Sequence, residues 1–199
     1  MAARGSRLVK PLVVAAALLP LAYLALGAWR GGLGANPIET ITRSTGVWTL
    51  RLMLITLAVT PLRWLTGWNE VVRLRRMLGL FAFFYGSLHL MTYLWLDQFF
   101  DWAAIAKDVV KRPFITAGFS AYVLLVPLAI TSTAGMIRRL GGRAWRRLHR
   151  LAYVAAALGV VHYWWLVKLD TRPPRNYGIV LATLLSIRVW IYVRRRQTS

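Results

Sequence analysis

The chain has 199 residues, of which 58% are hydrophobic and 16% are charged, and this composition excludes an ordinary soluble domain with a polar surface. Its 26 Lys and Arg against 6 Asp and Glu give a net charge of +20. On a soluble protein that charge would indicate nucleic acid binding, but beside long apolar windows it indicates membrane orientation. The absence of Cys excludes a disulfide, an iron–sulfur cluster and a covalently attached c-type haem.

Six apolar windows follow one another along the chain, each close to the length that a helix needs to cross about 30 Å of hydrocarbon. They predict an all-α membrane protein with a single domain over residues 1–199, built as a six-transmembrane-helix bundle. The windows cover approximately residues 11–29, 47–65, 77–96, 114–133, 149–167 and 177–193.

The first window leaves two interpretations open. A basic leader of Arg4, Arg7 and Lys10 precedes it, and Ala25-Leu26-Gly27 is a weak match to a cleavage site, as in a signal peptide that is removed. Its 19 uncharged residues exceed the usual apolar region of a signal peptide. The length therefore favours a retained helix.

Lys and Arg are distributed unequally between the two ends of the predicted spans. Sixteen lie at the N-terminus, between spans two and three, between spans four and five, and after span six, whereas eight lie at the opposite ends. Because positively charged segments are retained in the cytoplasm, this ratio places both termini there.

The outer loop between the third and fourth spans mixes apolar and charged residues. From Asp97 to Pro113, aromatic and aliphatic side chains are interspersed with Lys and Asp at irregular spacing. This mixture predicts a short helix over residues 98–111 that lies on the outer membrane surface.

Two classes of function lack the residues that they need. All six carboxylates lie in loops or at span ends, so no acid inside the membrane is available to carry protons, which argues against a proton-coupled transporter. The sequence contains neither a Walker loop nor a dinucleotide-binding fingerprint.

The histidines are the remaining groups that could carry chemistry. His89 lies 13 residues from the cytoplasmic end of the third span and His162 lies 14 residues from that of the fifth, so both sit about 20 Å up, in the outer half of the bilayer. A lone intramembrane His often only bonds two helices together. Two imidazoles at one depth on facing helices, however, could supply both axial ligands of a non-covalent haem.

His149 is expected in the same span, 13 residues below His162, where it would hold a second haem near the cytoplasmic face. On an ideal helix the two side chains would point in different directions, so a kink or differing side-chain directions must make up the difference. No fourth histidine is available as its partner, and Arg75 lies at the matching level of the third span. Arg75 could be an unusual ligand, a partner of a haem propionate, or a charge that only sets topology.

Two arginines lie inside predicted spans. Arg51 is near the outer end of the second span and Arg188 is near the inner end of the sixth. Both are candidates for pairing with haem propionates, and Arg188 could equally extend its side chain to the membrane surface.

Several motifs together resemble the MsrQ (YedZ) family, the haem-binding membrane subunits of a periplasmic methionine sulfoxide reductase system, within the ferric-reductase-like transmembrane superfamily. The resemblance covers nearly the whole chain, and it implies that His89, His149 and His162 are haem iron ligands, with Arg75 as the basic residue at the inner haem. The motifs are Thr45-Gly46-Val47-Trp48, Thr60-Pro61-Leu62-Arg63, Arg75-Arg76-Met77-Leu78-Gly79-Leu80 before Leu88-His89, Arg112-Pro113-Phe114-Ile115-Thr116, and Trp145-Arg146-Arg147-Leu148-His149-Arg150-Leu151 before His162.

This resemblance implies a multi-pass protein of the bacterial inner (cytoplasmic) membrane that carries one or two haem b groups. Electrons would pass from the quinone pool, or from a flavin reductase, to the periplasmic molybdopterin-containing subunit MsrP, which repairs oxidised methionine. The chain would thus be an electron-transfer subunit and not the catalytic reductase. FMN is also attributed to the family, although the sequence shows neither a flavin motif nor a quinone pocket.

Two alternatives stay open at the level of sequence. A stand-alone transmembrane ferric reductase would use the same haem ligands. A non-redox membrane anchor or transporter would use its histidines only for hydrogen bonds between helices.

Overall fold

The computed structural model describes residues 2–197, with side chains from residue 9 onward; Arg4 and Arg7 of the predicted basic leader therefore lie outside the described side chains. The described residues form helices and no strand. The α-helices are α1 (Ala2–Trp29), α2 (Pro37–Thr66), α3 (Val72–Met91), α4 (Trp102–Lys111), α5 (Pro113–Ile130), α6 (Ala134–Leu148), α7 (Leu151–Leu166) and α8 (Arg172–Gln197). A 3₁₀ turn (Asn69–Val71) precedes α3, and a π-helical segment (Thr92–Asp97) continues it.

Five of these helices are long and apolar enough to cross a membrane, namely α1, α2, α3 with its flanking turns, α5 and α8. The sixth apolar helix, α7, is shorter, with 16 residues. Each predicted span overlaps one of these six helices. The architecture is that of an all-helical, multi-pass membrane protein.

Helix α2 begins ten residues before the predicted second span, and its start has a clear local cause. The Asn36 side chain accepts a hydrogen bond from the Glu39 N–H, Pro37 occupies the first turn, and the Glu39 carboxylate lies near the positive end of the helix dipole. These signals start the helix ten residues before its apolar portion.

Helix α4 lies within the predicted surface segment 98–111. The Asp101 side chain caps it by accepting from the Ala104 N–H, and the helix buries Ile105 while exposing Trp102 and Val110. This is the amphipathic pattern expected of a helix at a membrane surface.

Helix α6 corrects the sequence interpretation, which left residues 134–148 as an inner loop. Thr133 caps it through the Met136 N–H, and Gly141, with φ 73° and ψ 153°, divides it into two parts. His149 follows α6 in the turn before α7, so the fifth span does not contain it as predicted. Neither a kink within one helix nor a difference in side-chain direction is therefore needed, because the two histidines do not share a helix.

Packing groups the helices in pairs, with α2 mainly against α3 and α5 mainly against α7. The core between them contains the fully buried Tyr85, Ala155 and Ala156. The Tyr85 hydroxyl donates to the Ala17 carbonyl at 2.7 Å, which ties α1 to this core. The paired arrangement brings the parts of α3 and α7 that carry His89 and His162 close together.

Candidate functional site

His89 of α3 and His162 of α7 meet near the outer ends of their helices. Their ring centres are 6.0 Å apart and their planes are inclined at 74°. Both side chains are partly buried. The structure thus brings together the two histidines that the sequence places at one depth.

A backbone carbonyl of α2 orients the His89 ring. The Nδ1 atom lies 2.9 Å from the carbonyl oxygen of Thr42. Because a carbonyl oxygen can only accept, Nδ1 carries the proton and Nε2 presents its lone pair.

A carbonyl of α5 orients His162 in the same way. Its Nδ1 atom lies 2.6 Å from the carbonyl oxygen of Phe114, and the Phe114 ring flanks the imidazole at 6.3 Å between centres. The Nε2 atom of this ring is also left with its lone pair. The sequence interpretation did not identify the Thr42 and Phe114 carbonyls, although Phe114 belongs to one of the motifs.

The histidine pair fits a metal bound between two imidazoles. Two rings that bind one ion from opposite sides, each with a nitrogen about 2 Å from it, have centres roughly 6 Å apart. Among the residues that the structure describes, no group of three or more His, Cys, Asp or Glu could hold an ion by itself. A metal held by this pair would need its other ligands from a cofactor, as haem provides them, and a protonated Nδ1 held by a carbonyl is the usual support of a metal-binding His.

His149 has different surroundings at the inner end of α7. Its Nε2 atom lies 3.1 Å from the Thr131 hydroxyl, which itself donates to the Pro127 carbonyl. Because that hydroxyl uses its proton on Pro127, Nε2 of His149 is the donor. Trp145 stacks on the imidazole with ring centres 3.8 Å apart and donates its indole N–H to the Thr131 carbonyl at 3.0 Å.

Arg75 lies within electrostatic range of His149. Burial lowers the pKa of the His149 imidazole, and the Arg75 guanidinium lowers it further. The structure therefore places these two sequence-predicted residues in one neighbourhood at the inner end of the bundle.

The two intramembrane arginines have separate locations. Arg51 is exposed, donates from Nε to the Tyr177 hydroxyl at 2.9 Å and lies over the Trp48 ring. Arg188 lies inside the bundle, where it donates to the Tyr153 hydroxyl at 2.8 Å. Arg51 is thus at the outer part of the bundle and apart from the His149 neighbourhood.

Comparison with known proteins defines the class first. Residues 45–160, more than half of the chain, match the family described as ferric reductase like transmembrane component. The class is therefore that of ferric-reductase-like transmembrane proteins.

Curated relatives narrow the class. A protein of Herminiimonas arsenicoxydans is 58% identical over 195 residues, covering 96% of this chain and 89% of the relative. A protein of Azospira oryzae is 58% identical over 173 residues (86% and 74% covered), and one of Rhodospirillum rubrum is 54% identical over 193 residues (97% and 93% covered). All three are named protein-methionine-sulfoxide reductase heme-binding subunit MsrQ. The chain belongs to the MsrQ family, which confirms the resemblance noted in its motifs.

Proposed function

We propose that this chain is a haem b electron-transfer subunit that carries electrons outward across the bacterial inner membrane to the periplasmic molybdopterin-containing reductase MsrP. The observation that carries the proposal is the His89–His162 pair, whose ring centres lie 6.0 Å apart and whose Nδ1 atoms each contact a backbone carbonyl, which leaves each Nε2 with its lone pair. The names of the relatives support haem as the bound group. The haem, when bound, supplies a one-electron carrier, and the protein holds and orients it.

The proposed topology has six membrane-spanning helices, α1, α2, α3, α5, α7 and α8, with both termini in the cytoplasm. The excess of Lys and Arg at the inner ends supports this orientation. Helix α7 spans about 24 Å at 1.5 Å per residue, which is short for a hydrocarbon core but within what a locally thinned bilayer accommodates. In this orientation His89 and His162 lie toward the periplasm.

We assign His89 and His162 to an outer haem and His149, with Arg75, to an inner haem. Electron flow from the cytoplasmic side to the periplasmic side would use both positions in turn. Arg51, on the outer part of the bundle, is assigned to an outer haem propionate. Its contact with the Tyr177 hydroxyl would keep the guanidinium at that level.

The outer surface offers a basic face for the reductase. Lys107 and Lys111 project from the exposed side of α4, and Arg172 and Arg175 begin α8. The MsrP subunit should dock here, next to the outer haem.

The electron donor should be a separate molecule, either a quinol or a flavin reductase, with FMN as an additional cofactor of the system. The chain has no dinucleotide-binding fingerprint, so the purified protein alone should not oxidise NADH or NADPH. Haem reduction should begin only when a quinol, or a flavin reductase with NADH, is added. Rapid reduction by NADH without flavin, quinone or other protein would contradict this assignment.

Reduced-minus-oxidised absorption spectra of the purified protein test the function directly. The proposal predicts b-type haem bands and electron transfer to the molybdoenzyme. The absence of haem bands after expression with adequate haem would favour a non-redox anchor. Reduction of ferric chelates with no transfer to the molybdoenzyme would favour a stand-alone ferric reductase.

A further inference from the structure

Arg188 of α8 places a guanidinium inside the helix bundle. Its Nη1 donates to the Tyr153 hydroxyl and its Nη2 to the Leu57 carbonyl, whereas its Nε is buried without a hydrogen-bond partner among the described residues. The Leu57 carbonyl is available because Pro61, four residues later in α2, has no N–H to donate. The Thr60-Pro61-Leu62-Arg63 motif therefore creates the acceptor that holds this guanidinium in place.

The charge of Arg188 has no opposite charge beside it in the described part of the bundle. The ion pairs found there involve Arg43, Arg73, Arg112 and Arg172, and their exposed groups lie at helix ends and loops. Arg75 is a second positive group within electrostatic range of Arg188. A partly buried positive charge with only neutral partners is costly, and a second positive charge nearby adds to that cost. Both facts favour an anion at this position.

Resting on the proposed function, we propose that Arg188 binds a carboxylate, the propionate of the inner haem. Tyr153, which holds Nη1, lies in the first turn of α7, four residues after His149, so the guanidinium is held at the end of α7 that adjoins the proposed inner ligand. An Arg presents Nε and Nη as a planar fork that suits a carboxylate, and the buried Nε is the unused part of that fork.

Infrared redox-difference spectra of the holoprotein test this contact. The haem would carry ¹³C at its propionate carboxyls, and wild type would be compared with Arg188→Gln. The matched control is Arg196→Gln, which removes a guanidinium from the same helix where it lies over the Tyr192 ring. Arg188→Gln should shift the labelled carboxylate bands and lower the midpoint potential of the inner haem, because a nearby positive charge disfavours the ferric form.

A second variant separates charge from folding. Arg188→Lys keeps the charge but loses the fork, so it should restore the potential toward wild type while leaving the carboxylate bands shifted. Labelled bands that are identical in wild type and in either substitution at position 188 would overturn the inference. A wild-type protein without haem would instead overturn the proposed function.

Gly46 of α2 and Gly118 of α5 lie against the rings of the outer pair. A Cβ atom at Gly46 would lie 3.0 Å from Cε1 of His89, and one at Gly118 would lie 2.7 Å from Nδ1 of His162. The first distance is tighter than nearly all real Cβ contacts, and the second requires a shift of the ring.

Each glycine stands four residues after the carbonyl that holds its histidine, Gly46 after Thr42 and Gly118 after Phe114. In an α-helix a side chain covers the turn on the N-terminal side of its own Cα. A Cβ at either position would therefore cover the carbonyl that accepts from Nδ1. Both α2 and α5 thus leave the accepting carbonyl uncovered by placing a glycine four residues after it.

We infer that Gly46 and Gly118 are positioning residues for the outer haem ligands, an inference that also rests on the proposed function. Their absent side chains let each ring lie against the helix and donate Nδ1–H to its backbone. A hydrogen bond from Nδ1 makes the imidazole a stronger ligand and fixes its orientation.

Alanine substitution of each glycine tests the inference, with haem content, absorption spectrum and midpoint potential of the purified holoprotein as readouts. Gly118→Ala should weaken outer-haem binding by roughly tenfold or more, the range found when such supporting contacts are lost. Gly46→Ala, with the milder contact, should keep the haem but raise its midpoint potential, because a weaker ligand stabilises the ferric form less. Matched controls are Gly79→Ala in α3 and Gly159→Ala in α7, where the new Cβ would meet only ordinary contacts at 3.7 and 3.6 Å.

The milder variant decides the matter if Gly118→Ala fails to accumulate. Gly46→Ala with wild-type potential and spectrum would overturn the inference. Equal effects in the control variants would also overturn it, because they would point to a general intolerance of alanine in these helices.

Discussion

The histidines at the two ends of α7 make different hydrogen bonds. Near the outer end, His162 and its partner His89 each donate Nδ1–H to a backbone carbonyl and leave Nε2 with its lone pair. At the inner end, His149 lies in a turn and its Nε2 donates to the Thr131 hydroxyl. Each ring of the outer pair therefore offers an Nε2 lone pair, whereas the inner ring must turn or give up a hydrogen bond before its Nε2 offers one.

This difference means that the outer histidines are better oriented in advance for binding a metal than the inner one. A ligand whose orientation is fixed in advance loses little freedom when the metal binds. The inner position has positive charge in its favour, since Arg75 is within electrostatic range of both His149 and Arg188, but it has only one histidine. We expect the outer haem to be the more tightly held of the two.

Removal of either outer histidine should give the largest effect. His89→Ala and His162→Ala should each abolish the outer haem, because a single axial imidazole remains in a partly apolar space. His149→Ala is the matched control and should leave the outer haem in place. Haem content and potentiometric titration of the purified variants measure both outcomes. An unchanged outer haem in His89→Ala or His162→Ala would contradict the assignment of these residues to it.

Charge reversal on the outer surface should give an intermediate effect. Lys107→Glu and Lys111→Glu on α4 should slow electron delivery to the periplasmic reductase by roughly tenfold at low salt, without changing the haem spectrum. The effect should shrink at high salt because the charges are exposed. Arg30→Glu, on the connection between α1 and α2, is the control. Stopped-flow measurement of haem oxidation at two salt concentrations checks this. Equal rates in wild type and the two Lys→Glu variants at low salt would contradict the proposed docking face.

Removal of the Thr131 hydroxyl should give the smallest effect, and in the opposite direction from the outer site. Thr131→Val frees Nε2 of His149 from a hydrogen bond of about 1 kcal/mol, so the inner haem should bind up to roughly fivefold more tightly. Titration of haem into the protein with the outer site filled would measure the change. Weaker inner binding in this variant would mean that the Thr131 contact supports the ligand.

The sequence could predict the outer pair because depth along a membrane helix follows from counting residues. His89 and His162 are nearly equidistant from their basic inner ends, and the structure brings their rings together. The supporting carbonyls of Thr42 and Phe114 were not predictable in this way, because backbone groups carry no side-chain signature. The motif glycine Gly46 was the available signal, since a glycine inside a membrane helix indicates close approach.

The inner end was harder to predict because its many arginines are also typical of a loop that sets membrane topology. The Arg-rich segment before His149 was interpreted as a loop that sets topology, yet it folds as the kinked amphipathic helix α6. Arg138, Arg139 and Arg143 alternate with apolar residues at helical spacing, which could have indicated this helix. The acceptor for Arg188 depends on Pro61 of another helix, a relation that only the packed structure reveals.

The central claim is that His89 and His162 hold one haem between them, and the haem-to-protein ratio of the double variant His89→Ala/His162→Ala tests it most directly. If both residues bind the same iron, the double variant should lose no more haem than either single variant, because the second substitution removes a ligand whose haem is already gone. The ratio should fall by one haem in all three proteins. A double variant that loses the sum of two separate single losses would contradict the account and assign the two histidines to different haems.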